Sequence, residues 1–406
     1  MMQKNLLRQD ALEIMKAGLS AIRPEKILNE KIVAKLGLKK FKKIYVFGAG
    51  KGVRFLAQRL EEFLPDKISG GLVTDIEVLE LKKIKVQVAG HPLPDKNSLA
   101  STQRIIREIR AISPVIRLSD TLILCLFTGG GSALFCWPNT SVKHYGEINE
   151  QLIKSGADIM EINVVRKHLD RVKGGGLAKI IAPRKCLTLL VSDVPGNDIG
   201  IIASGPVVLD KTNISDAQEI VAKYHLPKMK FLETGKDGKY FKNVKNHLLG
   251  TNILALDAMK DKVEQLGYKS KILTDSLVGD ATNVGQKFLE KVKPDEALIA
   301  GGETTMKVEG NGRGGRNTHL CLAALPYLKS DTCLLSIDSD GNDNTDAAGA
   351  VVDTETIVRA KKLGLASDNY LKNFDSYNFF KQTNDLIKTG KLPTNISDLL
   401  LVLQRP

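Results

Sequence analysis

Three short segments carry residue types that could hold and move a charged group. Lys51 stands in Phe-Gly-Ala-Gly-Lys-Gly (47–52), between an apolar run and a helical pattern. A cation at a helix start is opposed by the helix dipole by about 0.3–1 kcal/mol. A lysine in that place therefore points to an anion, with the ammonium reaching a transferring phosphate; otherwise it is a solvated lysine. Arg316, in Gly-Arg-Gly-Gly-Arg-Asn (312–317), offers a planar fork that matches a carboxylate or a phosphate; Arg313 is its alternative. Asp193 follows the apolar run Leu-Thr-Leu-Leu-Val-Ser (187–192). A carboxylate there could hold Mg2+ or accept a hydroxyl proton, or simply make an Asx turn. Asp340, Asp346 and Glu303 stand between metal ligation and loop ordering. Gly129, Gly130, Gly131 and Ser132 could cradle a phosphate or a carboxylate through backbone N–H groups. Ser204 could cap a helix or touch ligand. Arg166, Lys167 and Lys173 could set a positive potential. His168 reads as structural, and His91, between Gly90 and Pro92, as turn chemistry.

The elements that must position these residues alternate. Short β-branched runs such as 121–127 (TLILCLF) and 186–192 (KCLTLLV beginning at 185) are separated by helical patterns of 10 to 15 residues, which predicts parallel α/β sheets covered on both faces. Other expected strands include 44–48, 71–74, 85–89, 271–274, 297–300, 306–309, 332–337 and 349–352. Gly-rich turns close several of them, at 47–52, 127–132, 192–198, 300–304 and 336–343. Ligands of open α/β sheets bind beyond strand carboxyl ends. Yet neither a complete dinucleotide fingerprint nor a G-x-x-x-x-G-K-[ST] motif is present, which argues against a nicotinamide dehydrogenase and a P-loop kinase. The polar, basic stretch 227–243 reads as an interdomain connection and a hinge. The predicted division is residues 1–235, with 393–406 returning, as a Rossmann-like domain, and 240–392 as a smaller α/β domain.

The chain has 406 residues and a net charge of +13, but only 5% aromatics, so base-stacking surfaces are sparse and nucleic acid is not the expected partner. No apolar run approaches the ~18 residues of a membrane span, and the first residues have no leader-like apolar stretch, so a cytoplasmic location is expected. The five cysteines form no C-x-x-C pair. Charge is unevenly placed. Seven cations and two acids lie in 161–185, whereas 332–353 holds five aspartates and no Lys or Arg. That pairing suits a phosphorylated ligand with a divalent cation.

In order, VFGAGKGV (46–53), AGHPLPD (89–95), FTGGGSAL (127–134), INVVRKHLDRVKGGGLA (162–178), VSDVPGNDIGIIASGP (191–206), GGETTMKVEGNGRGGRN (301–317) and DGNDNTDAAGAVVD (340–353) resemble the class II glycerate kinases, the family carrying the MOFRL domain. The resemblance implies ATP-dependent phosphorylation of D-glycerate, usually at the 2-hydroxyl, in a cleft between a larger Rossmann-like domain and a smaller MOFRL-type one. It implies ATP and Mg2+ (or another divalent cation), a monomer or homodimer, and a small-molecule substrate. The catalytic candidates are then Lys51, Arg316 and Asp193. Gly50, Gly129, Gly130, Gly131, Ser132, Arg166, Lys173, Ser204, Glu303 and Asn317 are candidates for phosphate or substrate contact, and Asp193 and Asp340 for the metal. Transfer to the 3-hydroxyl, or a non-catalytic binder of sugar acids or phosphates, are the alternatives.

Overall fold

The computed structural model describes residues 2–112 and 120–405, with side chains from residue 6 onward. Two compact units emerge. One comprises Ile27–Ser192 and Asn197–Leu249; the other comprises Met1–Lys26, Asp193–Gly196 and Gly250–Pro406.

The first unit is built on β1 (Lys43–Ala49), β2 (Ile68–Asp75), β3 (Ile84–Val88), β4 (Thr121–Phe127), β5 (Cys186–Val191) and β6 (Val244–Gly250). Their order is β3-β2-β1-β4-β5-β6, and the pairs β3–β2, β2–β1, β1–β4 and β4–β5 are all parallel. Every residue of β5, and all of β4 after its first, is buried, as expected for strands covered on both faces. Parallel pairing sets the carboxyl ends of β1 and β4 side by side, with Ala49 opposite Phe127. The two Gly-rich turns that follow them are therefore neighbours.

The second unit contains β7 (Lys269–Leu277), β8 (Glu296–Gly302), β9 (Thr332–Asp338), β10 (Gly349–Asp353), β11 (Leu386–Ile387) and β12 (Asp398–Gln404), in the order β11-β10-β9-β12-β8-β7. Here the sheet is mixed. β7 and β8 are parallel, but β12 runs antiparallel between β8 and β9.

Three expectations are corrected. The C-terminal strand does not return to the first unit: Leu399–Leu403 are at most 1% exposed in the middle of the second sheet, which supplies a ladder on both sides of an all-apolar strand. The N-terminal helix Met2–Ala21 also belongs to the second unit. It packs on helix Asn252–Gln265, and its Arg8 binds Asp353 at 3.2 Å while Asp10 accepts from Tyr268 Oη at 2.7 Å and Arg405 Nη2 at 2.9 Å. Finally, 227–243 is no linker. Leu232 N donates to His168 O at 2.7 Å and Gly235 N to Gly174 O at 3.2 Å, so the segment is tied into the first unit, which continues through β6 to Leu249. The expected strand at 306–309 is irregular.

Candidate active site

In the first unit the turns after β1 and β4 are bolted together. Lys51 N donates to Gly129 O at 2.7 Å, Thr128 Oγ1 donates to Lys51 O at 2.8 Å, and Gly50 N reaches Thr74 O at 3.0 Å. Gly50 has φ +143°, and a Cβ there would lie 2.1 Å from Thr128 Oγ1; only glycine lets the turns approach this closely. Lys51 is half-buried. Its Cγ is 3.2 Å, and the His91 ring 2.8 Å, from where a Cβ on Gly130 would stand. Gly130 is thus flanked by an ammonium-bearing chain and an imidazole. The following helix, Val53–Phe63, does not offer its positive end to a ligand. Asp75, at the end of β2, already accepts from Gly52 N at 3.2 Å and Arg54 N at 3.1 Å, and the Arg54 guanidinium holds that buried carboxylate at 2.9 Å.

Beneath the β4 turn lies a layer of buried polar groups. Lys173, 1% exposed, donates to Ser132 O and Phe135 O, both at 2.9 Å. Asp170 accepts from Trp137 N and Val172 N at 2.9 Å each. Burial pulls the Lys173 pKa down and pushes the Asp170 carboxyl up, and each charge opposes the other's neutralisation. Ser204 is fully buried and donates to Asn163 Oδ1 at 2.7 Å, while Ser132 Oγ and Ser204 Oγ are 3.0 Å apart. Arg166 Nε turns onto Asn149 Oδ1 at 2.7 Å, its pKa lowered by burial. Lys173 and Ser204 therefore hold the loop from below instead of facing a ligand. His168 is structural as expected, with its ring nitrogens 2.9 Å from Leu232 O and 3.2 Å from Thr212 Oγ1.

In the second unit three strand ends converge on Arg316, the first residue of helix Arg316–Ala324. Its Nε and Nη2 bind the two oxygens of Asp398 at 2.6 and 3.0 Å, Nη1 binds Glu303 at 2.5 Å, and Nη2 reaches Asp338 at 3.3 Å. One guanidinium faces three carboxylates, and its pKa is raised: burial opposes the charge, but Asp398, Glu303 and Asp338 outweigh it. Burial pushes Asp398 up to about 6 despite Arg316. Asp338 is also pushed up, by burial and then by Asp340 and Asp398. Glu303, 45% exposed at its side chain, is the partner an incoming anion could replace. Asn317, 1% exposed, is turned inward: its Nδ2 reaches Asp398 at 2.9 Å and Asp343 at 3.3 Å, and its Oδ1 accepts from Ser336 at 2.5 Å. It orients Asp398. Asp193 is brought to the same strand edge, its carbonyl accepting from the Ser397 hydroxyl.

Arg313 lies apart, stacked over Tyr377 at 4.1 Å and reaching Asp346 at 3.4 Å. Asp346 is claimed by Lys388 at 2.8 Å and Tyr377 at 2.6 Å, which hold its pKa at about 2; it serves structure. Among the described residues no three His, Cys, Asp or Glu side chains are grouped to hold a metal. Mg2+ commonly takes only one or two carboxylates and completes its shell with phosphates and water. The mutually repelling Asp338 and Asp340 are the pair that fits such a role. Asp398, Asp75 and Asn163 are not singled out by the sequence, and Asp338 only as one of the five aspartates of 332–353. Their only local signal was a polar residue at the edge of an apolar run or within a strong motif.

Two α/β units, one with a glycine loop beside a lysine and one with carboxylates gathered at strand ends, and no P-loop motif in the sequence, fit the class of small-molecule kinases outside the P-loop type. A domain of unknown function, DUF4147, matches residues 10–232, and the MOFRL family matches residues 296–398. The chain is 35% identical to the D-glycerate 2-kinase of Thermotoga maritima, over 98% of each chain. It is also 35% identical to the glycerate 2-kinase of Pyrococcus horikoshii, over 89% of this chain and 87% of that one. A crystal structure of glycerate kinase from Thermotoga maritima superposes with a TM-score of 0.87 at 33% identity, covering 98% of this chain and 100% of that one. The chain belongs to the class II glycerate kinase family.

Proposed function

We propose that this chain transfers the γ-phosphoryl group of ATP to the 2-hydroxyl of D-glycerate, giving 2-phosphoglycerate and ADP. The division of charge carries the reading. A glycine loop beside Lys51 suits an anionic hydroxy acid, and an acidic cluster pinned by a single Arg suits the cation that travels with nucleotide phosphates. In this reading the backbone of 129–132 holds the glycerate carboxylate, and Lys51 meets the phosphoryl group and neutralises charge as it moves. Phosphoryl transfer asks for such positioning and little covalent chemistry. Arg316 fixes the carboxylates of Asp398 and Asp338, and can exchange Glu303 for a phosphate oxygen. Asp193 is the proposed acceptor of the hydroxyl proton. Asp338 and Asp340 would hold the divalent ion, which when bound neutralises charge on the phosphate oxygens.

The test is phosphorus NMR of the protein with ATP, Mg2+ and D-glycerate. The expected product is 2-phosphoglycerate, formed with one ADP per acceptor. Formation of 3-phosphoglycerate would move the reaction to the other hydroxyl. Absence of glycerate-dependent ADP would overturn the kinase reading and leave a binder.

A further inference from the structure

A chain of hydrogen bonds beneath the glycine loop has a direction, and that direction decides what Ser132 can recognise. It begins at Asn163, 3% exposed. The Asn163 amide nitrogen donates to Ile159 O at 2.9 Å, so the amide oxygen is the end that faces Ser204. An oxygen can only accept. The 2.7 Å contact therefore consumes the single hydroxyl proton of Ser204, itself fully buried. Ser204 Oγ then has only lone pairs to offer Ser132, 3.0 Å away. The Ser132 hydroxyl must donate inward, and its remaining capacity outward is lone pairs alone. Both ends of Ser132 are held, since its carbonyl accepts from Lys173 at 2.9 Å. Ser132 is half-exposed on the loop, whereas the groups that polarise it are buried.

From this we infer that the Ser132 side chain is a specificity element for the acceptor: its Oγ accepts a hydrogen bond from a hydroxyl group of the bound hydroxy acid and does not donate to a phosphate oxygen. A phosphate or carboxylate presents acceptors, and an acceptor facing lone pairs gains nothing. A carbon-bound hydroxyl presents the proton that Ser132 lacks. The loop thus reads two features of one ligand, an anion through backbone N–H groups and a neighbouring hydroxyl through Ser132. Ser204 and Asn163 are positioning residues that act through Ser132. The inference rests on the reading that this loop holds the acceptor.

The experiment is titration calorimetry of the full chain with D-glycerate, with lactate and 3-hydroxypropionate, which each keep one of the two hydroxyls, and separately with MgADP. For Ser132→Ala we expect about tenfold weaker D-glycerate binding, the same loss for only one of the two mono-hydroxy acids, and unchanged MgADP affinity. Ser204→Ala leaves Ser132 in place but frees its proton to turn outward; it should weaken D-glycerate several-fold and spare MgADP, which a general loosening of the fold would not do. Loss of MgADP binding in Ser132→Ala, equal loss for both mono-hydroxy acids, or unchanged D-glycerate affinity would each overturn the inference. If D-glycerate does not bind the wild-type protein, both this inference and the proposed function fail. If it binds but is not phosphorylated, only the proposed function fails.

Discussion

The glycine-loop unit and the acidic unit both gather polar residues around the ends of buried strands, in opposite ways. In the first, apart from half-buried Lys51, the charged side chains that support the loop lie under the surface. Lys173 and Asp170 are 1% and 3% exposed and spend themselves on backbone groups, so that the loop above presents backbone and two hydroxyl lone pairs. In the second, the charges form the cluster directly, and three carboxylates share one guanidinium. A loop supported from below keeps its shape whatever the state of the ligand. A cluster held by charge balance changes its protonation and its partners when a cation or an anion arrives. The first arrangement suits a small acceptor whose geometry must be fixed, and the second a highly charged donor.

The difference is broken most directly at Arg316. Arg316→Ala leaves Asp398 and Asp338 buried without their cation, and loss of one partner of a buried pair costs about 3–5 kcal/mol. Urea unfolding should show that loss in the acidic unit, with helices of the glycine-loop unit keeping their hydrogen-exchange protection. Glu303→Gln removes a half-exposed partner of the same guanidinium and should cost less than about 1 kcal/mol. Equal losses from the two variants would deny that Arg316 serves mainly to hold the buried carboxylates.

Lys51 should give the reverse pattern. Lys51→Met keeps most of the apolar stem beside Gly130 and removes the ammonium, so D-glycerate-dependent ADP formation should fall about 10²–10³-fold, with stability changed by no more than about 1 kcal/mol. Steady-state turnover and the urea midpoint measure the two effects. A large drop in stability with intact turnover would make Lys51 a part of the scaffold like Lys173.

How much of this was legible beforehand follows from the range of the interactions. β4 and β5 show in the sequence because a strand buried on both faces is apolar at every position. The turns at 47–52 and 127–132 show because their glycines are demanded by close backbone approach, a local requirement met here at Gly50. The partners of the N-terminal helix and the place of β12 do not show, since Asp10 meets Tyr268 and Arg405 across most of the chain. β6 is half-exposed and carries Lys245, Asn246 and His247, so its pattern lacks an apolar run. Lys173, Ser204 and Asn317 carry charged or polar side chains, which usually stand at the surface, yet all three are buried. Their burial depends on carbonyls and carboxylates supplied by other segments. Asp398 does not stand out for the same reason, and Asp338 only as one of five aspartates: a strand-end aspartate gains significance when a third element delivers Arg316.

The smaller and more selective test of the comparison is pH. Asp398 has a pKa of about 6 in the folded protein against 3.8 ordinarily, because burial disfavours its charged form. The fold therefore binds this proton more tightly than the unfolded chain does. The stability contributed by Asp398 is greatest below about pH 3.8 and is lost as pH rises through about 6, a change of at most about 3 kcal/mol. Activity should move the other way. As pH falls through about 6, protonation removes one carboxylate charge from Arg316 and lowers the negative charge available to a divalent ion, so the apparent Km for MgATP should rise while that for D-glycerate, held by loop amides and Ser132, changes less. Asp398→Asn should flatten the pH dependence of stability between about 4 and 6 by the share Asp398 contributes, leaving that of Asp338, and initial-rate profiles for the two substrates should separate the units. Parallel rises in both Km values across that range would show that the glycine loop titrates too, and the contrast between a supported backbone and a balanced cluster would not hold.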